Sequence, residues 1–364
     1  MHFFVPIILS MWLTTSPAAH TADMDMWVDR VEHAFRSASK PPPKRQPELD
    51  RSALIAATKK GERDVRRLLR DARVYDGMLL PLVIDQYRLS TVTRAGSDYI
   101  AEHVIPLGVT HYGMAIHGDR LVVVFTRRML TLDRFPAAKN DGFVPLDGLI
   151  ARGYRNPRVL IARPSGRIES YLGDVSGGVF RSFVHFREAG AYSIEILARG
   201  PRGQEVIGLI HTTLGESDAM ASKSTPDGSG TTKNPLQAKK ALVRWINQAR
   251  ARLGLRALRV DSRLMSTASD HARAMAEARQ ASHILPGGEG AARRLSDAGV
   301  VTERFYENVA MARSAEQAHR ELWLSPSHRK ALVDPFVTHI GVGVTTVPSP
   351  GGRVLYITQH LVER

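Results

Sequence analysis

Three short polar segments near the C-terminus constrain this chain more than any other feature of its sequence. They are a Ser-His pair that ends at His283, a Glu-Asn pair that begins at Glu307, and a Ser-Pro-Ser-His-Arg run that contains His328. The three named residues are separated by 24 and 21 positions. Side chains on one helix contact each other only when they are three or four residues apart. These segments can therefore form a site only in a fold that joins distant elements.

The segment around them has helix-start signals followed by strand-like runs. Two apolar runs, residues 339–344 and 354–360, come last and have the composition of strands. Side chains that commonly cap helices precede four apolar-periodic stretches. The predicted caps are Asn234, Asp261, Ser314 with Gln317 as a capping box, and Ser325. Helices surrounding a small antiparallel sheet are predicted, which is an α/β/α sandwich.

The ordered motifs SH, EN, SPxHR, GVGV and TQ resemble those of the CAP superfamily, the SCP-like extracellular domains of cysteine-rich secretory proteins, antigen 5 and pathogenesis-related class 1 proteins. The resemblance covers about residues 236–364 and is closest to the bacterial type. It implies the same sandwich fold and a shared ligand cleft. The positions that it assigns to this cleft are His283, Glu307, Asn308, Ser325, His328 and Gln359.

The chain departs from the family pattern at two of these positions. A second glutamate is usual where Ser325 stands, and the tryptophan expected at Leu322 is displaced to Trp323. Any activity that needs the fourth polar residue is therefore in doubt. His283, Glu307 and His328 remain candidates for catalysis, without an assigned catalytic role.

The same three residues suit a divalent metal. The chain contains no cysteine, so a metal must be held by His, Asp or Glu. Two imidazoles and one carboxylate suit Zn²⁺ and leave a fourth coordination position open. A metal-bound water could then act as a hydrolytic nucleophile. The alternative is that His283, Glu307 and His328 hydrogen-bond within the fold and hold helices in place.

The whole chain is predicted to be an α+β multidomain protein. Residues 1–22 resemble a signal peptide, since the apolar run 3–15 is too short to span a bilayer. Residues 140–215 read as short strands and turns, which favours a small immunoglobulin-like β-sandwich. Residues 216–235 are rich in small polar residues and read as a linker before the C-terminal domain, residues 236–364.

Residues 24–135 carry an internal repeat and are predicted to form a degenerate CAP-like domain. Residues 109–116 match 337–344, residues 120–126 match 353–358, and Met78 takes the place of His283. No Glu-Asn pair occurs in this copy. The copy is therefore expected to keep the core pattern of the domain and to lack its polar site.

The formal net charge of +14 favours an anionic partner. No nucleic-acid motif accompanies this charge, and no segment after the leader is apolar enough to be transmembrane. The sequence thus predicts a secreted, extracellular or periplasmic module that binds an anionic envelope polymer, peptide or lipid and is not primarily an enzyme. Two alternatives remain open, a metal-assisted hydrolase of peptide or cell-wall amide bonds and a structural adhesin-like spacer. The oligomeric state is not determined by the sequence.

Overall fold

The computed structural model of the protein describes residues 6–7, 17–58, 74–85, 96–133, 135, 142–201, 203–215, 234–349 and 352–364. The chain divides into two compact units. The first comprises residues 1–164 and 169–217, and the second comprises residues 165–168 and 218–364. The segments that the sequence predicts as two separate domains, 24–135 and 140–215, thus lie in one unit. Most of the leader 1–22 and residues 216–233 of the linker lie outside the described residues.

The first unit begins with two helices and a five-stranded sheet. The helices are α1 (Pro17–Ser37) and α2 (Pro47–Thr58), and helical turns follow at Ile100–Val104 and Ile105–Leu107. The strands are β1 (Pro6–Ile7), β2 (Lys44–Arg45), β3 (Leu80–Asp85), β4 (His111–His117) and β5 (Arg120–Thr126). Their order in the sheet is β1-β3-β5-β4-β2. A core of large side chains that includes Trp27, Phe35 and Phe125 lies on one face of this sheet.

The rest of the first unit is built from two four-stranded sheets around one core. One sheet has the order β10-β11-β7-β6 and the other β13-β12-β8-β9. The strands are β6 (Leu130–Leu132), β7 (Gly142–Ile150), β8 (Arg155–Ala162), β9 (Ile168–Leu172), β10 (Asp174–Ser176), β11 (Val179–Phe186), β12 (Gly190–Gly200) and β13 (Gly203–Leu214). Phe180 and Phe186 of one sheet share a buried cluster with Ile194 and Ile207 of the other. The two sheets thus pack face to face around this cluster.

The second unit surrounds one sheet with helices. Its helices are α3 (Pro235–Arg252), α4 (Ser262–Glu277), α5 (Ala291–Asp297), α6 (Ala315–Leu324) and α7 (Pro326–Val333). Its strands are β14 (Arg259–Val260), β15 (Phe305–Ala312), β16 (His339–Ser349) and β17 (Gly352–Val362), in the order β14-β16-β17-β15. Strand β15 is therefore an edge strand, paired only with β17 within the described residues.

Local sequence signals explain where these helices begin. The side chains of Asn234, Asp261, Ser314 and Ser325 each accept a hydrogen bond from a backbone N–H of the following first turn. All four predicted caps are thus confirmed. Gln317 reaches back to the backbone N–H of Arg313, one residue before the cap of α6.

Two glycines let α4 lie directly on the sheet. A β-carbon at Gly341 would come within 2.1 Å of the backbone of Leu264, and one at Gly343 would come within 2.0 Å of the backbone oxygen of Ala268. Only glycine permits such a close approach of backbone to backbone. This contact fixes the face of the sheet on which α4 lies.

The two helix-covered sheets share a strand order. β2-β4-β5-β3 repeats β14-β16-β17-β15, with the same parallel first pair and antiparallel pairs after it. The predicted match of Met78 with His283 does not fit this alignment, since Met78 directly precedes β3 whereas His283 precedes α5. The match of 120–126 with 353–358 is also displaced, since it sets Thr126 against Thr358. In the sheets Thr126 pairs with His111 and Val362 pairs with His339, so Thr126 corresponds to Val362. The displacement arises because the first hairpin is shorter.

Candidate functional site

The carboxylate of Glu307 is the centre of the candidate site. Glu307 lies on β15 directly opposite His360 of β17. Its Oε1 lies 2.9 Å from Nδ1 of His283, and its Oε2 lies 2.8 Å from Nε2 of His360. Arg294 of α5 also donates to Oε2. Only 3% of the Glu307 side chain is exposed, so both oxygens are held within the fold.

The surroundings keep Glu307 ionised. Burial by itself would raise the pKa of this carboxyl, because a charge is poorly solvated in the interior. The hydrogen bonds from His283 and His360 and the charges of His283 and Arg294 outweigh burial, and the pKa lies well below its ordinary value. The guanidinium of Arg294 neutralises the carboxylate, so the pair needs no further counter-ion.

His283 presents the exposed side of this cluster. Its side chain is 46% exposed, whereas that of Arg294 is 18% exposed. The segment that carries His283 is anchored from two sides. Arg294 donates to the backbone oxygen of His283 at 3.2 Å, and Nε2 of His271 lies 2.9 Å from the backbone oxygen of Ser282. When both ring nitrogens of His283 carry protons, Nδ1 donates to Glu307 and the N–H at Nε2 can donate to an anionic ligand.

A second polar group surrounds His328. Asn308 donates from Nδ2 to the backbone oxygen of His328 and to Oε1 of Gln359, each at 3.2 Å. Ser325 Oγ lies 2.6 Å from Nδ1 of His328. Asn308, Ser325 and Gln359 are buried, at 2%, 2% and 0% exposure. In this arrangement they position α7 and the His328 ring against the sheet.

The pleat of β15 separates the two groups. Glu307 and Asn308 are neighbours on one strand, so their side chains lie on opposite faces of the sheet. His360, which bonds Glu307, is also 3.0 Å from Thr267 of α4, whereas Asn308 bonds α7. The contacts of the six residues assigned to the cleft thus fall into two groups, one around Glu307 and one around Asn308. Burial, together with the charge of His283, lowers the pKa of His328 to about 3.

This arrangement bears on the predicted zinc site. Oε1 of Glu307 accepts one hydrogen bond and Oε2 accepts two, while the Nδ1 atoms of His283 and His328 face Glu307 and Ser325. A metal would have to compete with these hydrogen bonds for the carboxylate. Over the described ranges, no group of three or more His, Asp or Glu side chains is arranged to hold a metal ion. Zinc binding stays a prediction from the sequence.

Sequence reasoning missed two partners of Glu307. His360 was recognised only as part of a strand, and its role depends on the register of β15 against β17. Arg294 belongs to none of the polar motifs, and it meets Glu307 because α5 packs beside the sheet edge. Neither contact follows from spacing along the chain, since register and helix placement are decided by packing.

A buried histidine outside the cluster was also missed. His319 on α6 is 2% exposed and lies between the rings of Trp245 and Trp323, at centroid distances of 5.6 and 6.3 Å. Neither ring nitrogen has a hydrogen-bond partner among the described residues. Burial lowers the pKa of His319 to about 4, so the imidazole is neutral at pH 7.

The model of the cysteine-rich secretory protein family, CAP, matches residues 243–361. These residues form a CAP domain. The CAP domain contains both polar clusters and all four strands of the second sheet. None of the helices in the described part of the chain combines the length and apolar character needed to cross a bilayer. No protein among the curated sequences matches the chain significantly.

Several solved structures resemble the chain. An outer surface protein from Borrelia burgdorferi is 21% identical, with a TM-score of 0.32, over 35% of this chain and 94% of its own. An extracellular SCP-domain protein from Bacillus anthracis is 17% identical, with a TM-score of 0.32, over 64% and 88%. A cysteine-rich secretory protein from Staphylococcus aureus is 10% identical, with a TM-score of 0.29, over 64% and 86%. Such identities and TM-scores carry no information on ligands.

Proposed function

We propose that the CAP domain is a binding module that binds its ligand at His283 and does not catalyse a reaction on it. One observation carries this proposal. The carboxylate of Glu307 is buried, ionised and bonded by His283, His360 and Arg294. A general base must reach the proton that it removes. A carboxylate with both oxygens engaged by the protein instead holds His283 in one orientation, with its other nitrogen available to a ligand.

The neighbouring hydroxyl supports the same conclusion. Ser282 is the nearest residue in sequence that could act as a nucleophile beside His283. Its Oγ donates to the backbone oxygen of Ile284 at 2.8 Å. A serine is activated when its hydroxyl donates to a base, and this hydroxyl proton is directed to a carbonyl. Ser282 therefore stabilises the turn that precedes Ile284 and does not activate a nucleophile beside His283.

The charge of the domain favours an anionic ligand. Residues 234–364 contain 19 Lys and Arg against 11 Asp and Glu, a net charge of +8 out of +14 for the chain. A net positive surface concentrates anions around a domain and raises their rate of association. With the predicted leader at residues 1–22, the proposed partner is an anionic component of the cell envelope, a polymer, an acidic peptide or a lipid headgroup. Export to the envelope is part of this proposal.

Vesicle co-sedimentation tests the proposal. The full chain is mixed with phosphatidylglycerol–phosphatidylcholine vesicles, with pure phosphatidylcholine vesicles, and with poly-glutamate in a parallel titration. Binding to an anionic probe that weakens at least ~10-fold in His283→Ala is expected, since a hydrogen bond to a charged group contributes ~1.5–3 kcal/mol. His117→Ala, an exposed histidine of the first unit, is the matched control. Equal affinity for anionic and neutral probes, or an unchanged His283→Ala, would refute the proposal.

We also propose that residues 24–135 are a degenerate copy of the domain that lacks the polar site. The shared strand order supports this, as does a 2.9 Å contact between Thr Oγ1 and His Nδ1 at the same place in both copies, Thr110–His111 and Thr338–His339. When the two sheets are aligned on His111 and His339, Pro81 corresponds to Glu307 and Val124 corresponds to His360. The apolar residues explain why the first copy would keep its core and bind nothing in the same way.

A further inference from the structure

We infer that the outer face of the sheet β10-β11-β7-β6 binds a neutral polysaccharide chain. This surface belongs to the first unit and is independent of the site at His283. Phe143 of β7 and Phe183 of β11 have residue exposures of 65% and 43%. Large aromatic side chains are normally buried, because their apolar area is costly to leave in water. Two of them side by side on one sheet face mark a binding surface.

Strand register places the rings in a continuous platform. Phe143 pairs with His185, and Phe183 pairs with Pro145 one step along the same face. The rings of Phe143 and His185 are stacked, with centroids 4.1 Å apart and an angle of 18°. Phe183 lies edge-on to Phe143 at 5.3 Å and lies 5.2 Å from Tyr171 of β9. The mutual contacts hold the rings in place before any ligand arrives, which lowers the entropy cost of binding.

The charges beside the platform argue against a polyanion. The next position along the face pairs Arg181 with Asp147 on one side and with Asp174 on the other. Strands that bind single-stranded nucleic acid combine aromatic rings with a positively charged groove. Here Arg187 donates to Nδ1 of His185 at 2.9 Å, so two guanidinium groups and two carboxylates lie beside the rings. Such a balanced set suits a ligand with hydroxyl donors and acceptors and no net charge. A pyranose ring also offers C–H groups, which are attracted to the negative face of an aromatic ring.

The size of the platform argues against a stable protein partner. Three strands ~4.8 Å apart and four residues of ~3.4 Å each span roughly 200 Å². A stable protein–protein interface buries ~800 Å² on each partner. The platform has room for two or three sugar rings in a row. A repeated, unbranched polysaccharide fits this area and can bind at many positions along its length.

Retention on insoluble polysaccharides tests the inference. The full chain is incubated with cellulose, chitin and β-1,3-glucan in ~1 M NaCl, where screening reduces general charge effects to a range of ~3 Å. Wild-type protein is expected to bind at least one of the three. Phe143→Ala with Phe183→Ala should weaken that binding at least ~10-fold, since each ring contributes several-fold. Both side chains are largely exposed, so loss of their ring contacts should lower the thermal midpoint by less than ~5 °C.

Leu149→Ala is the matched control. Leu149 is 62% exposed and lies on the same strand and face as Phe143, beyond the row that contains Asp147. It should bind like the wild type. Failure of the wild type to bind all three polysaccharides would overturn the inference, as would equal binding by the double variant or equal loss in Leu149→Ala. Sedimentation equilibrium supplies a further test, because a wild-type dimer that the double variant abolishes would assign the platform to self-association.

Discussion

Replacing Glu307 with alanine should destabilise the CAP domain strongly. The substitution leaves His360 and Arg294 without their acceptor, and their side chains are 0% and 18% exposed. A buried polar group without a partner costs ~1–3 kcal/mol, and removing one member of a buried ion pair costs ~3–5 kcal/mol. Because Arg294 retains carbonyl partners and some contact with water, a loss of ~3–4 kcal/mol is expected.

Urea unfolding followed by tryptophan fluorescence measures this loss. Trp245 and Trp323 lie in the CAP domain and report on it, while Trp27 reports on the first unit. The urea midpoint of the CAP transition should fall, with the slope unchanged. Glu307→Gln keeps one acceptor oxygen and should lose less stability. Glu289→Ala removes an exposed carboxylate from the neighbouring turn and should remain within ~0.5 kcal/mol of the wild type.

The pH dependence of the same variants provides an independent check. The folded pKa of Glu307 is depressed, so its contribution is fully present above the unfolded value near 4.5 and is lost as pH falls below it. Glu307→Gln should flatten the stability curve in that acidic range. If Glu307→Ala lies within ~1 kcal/mol of the wild type and leaves the acid limb unchanged, the carboxylate does not anchor the site.

Three further substitutions test the packing of the domain. Gly343→Ala should cost ~3 kcal/mol because its β-carbon would meet the backbone of α4, and an unchanged urea midpoint would contradict this. The wild type should lose ~2 kcal/mol of stability between pH 7 and pH 5, because the unfolded imidazole of His319 takes up a proton below about 6.5 whereas the folded pKa is about 4. His319→Phe should remove this loss. An identical pH profile in the variant would exclude this role. Arg250→Met should cost ~3 kcal/mol or more, since this fully buried guanidinium donates to the backbone oxygens of Arg256, Leu332 and Asp334, and a stability within ~1 kcal/mol of the wild type would refute that.

Local features of the domain could be predicted from the sequence. The caps at Asn234, Asp261 and Ser314 depend on contacts within three residues, so the chain itself specifies them. The pairing of Gly200 with Gly203 at a hairpin turn follows from the same short-range chemistry. A glycine inside a strand indicates a close backbone approach, and at Gly341 and Gly343 the approaching element is α4.

Features that depend on register or packing could not be predicted. The contact of Glu307 with His360 requires β15 and β17 to align at one register out of several, and a shift of one residue would place His360 on the other face. The contacts of Glu307 and Asn308 go to different elements because the two side chains alternate across an edge strand. The match of Met78 with His283 was based on local sequence similarity. Only the order of the elements shows that the two residues precede different elements.

Incubation of the purified full chain with isolated cell wall tests the central claim most directly, with bound protein and released soluble fragments measured in the same sample. The account predicts retention of the wild type with no fragment release above the blank, because Glu307 is committed to His283, His360 and Arg294. Fragment release by the wild type that a folded Glu307→Gln variant abolishes would contradict it and assign Glu307 to catalysis.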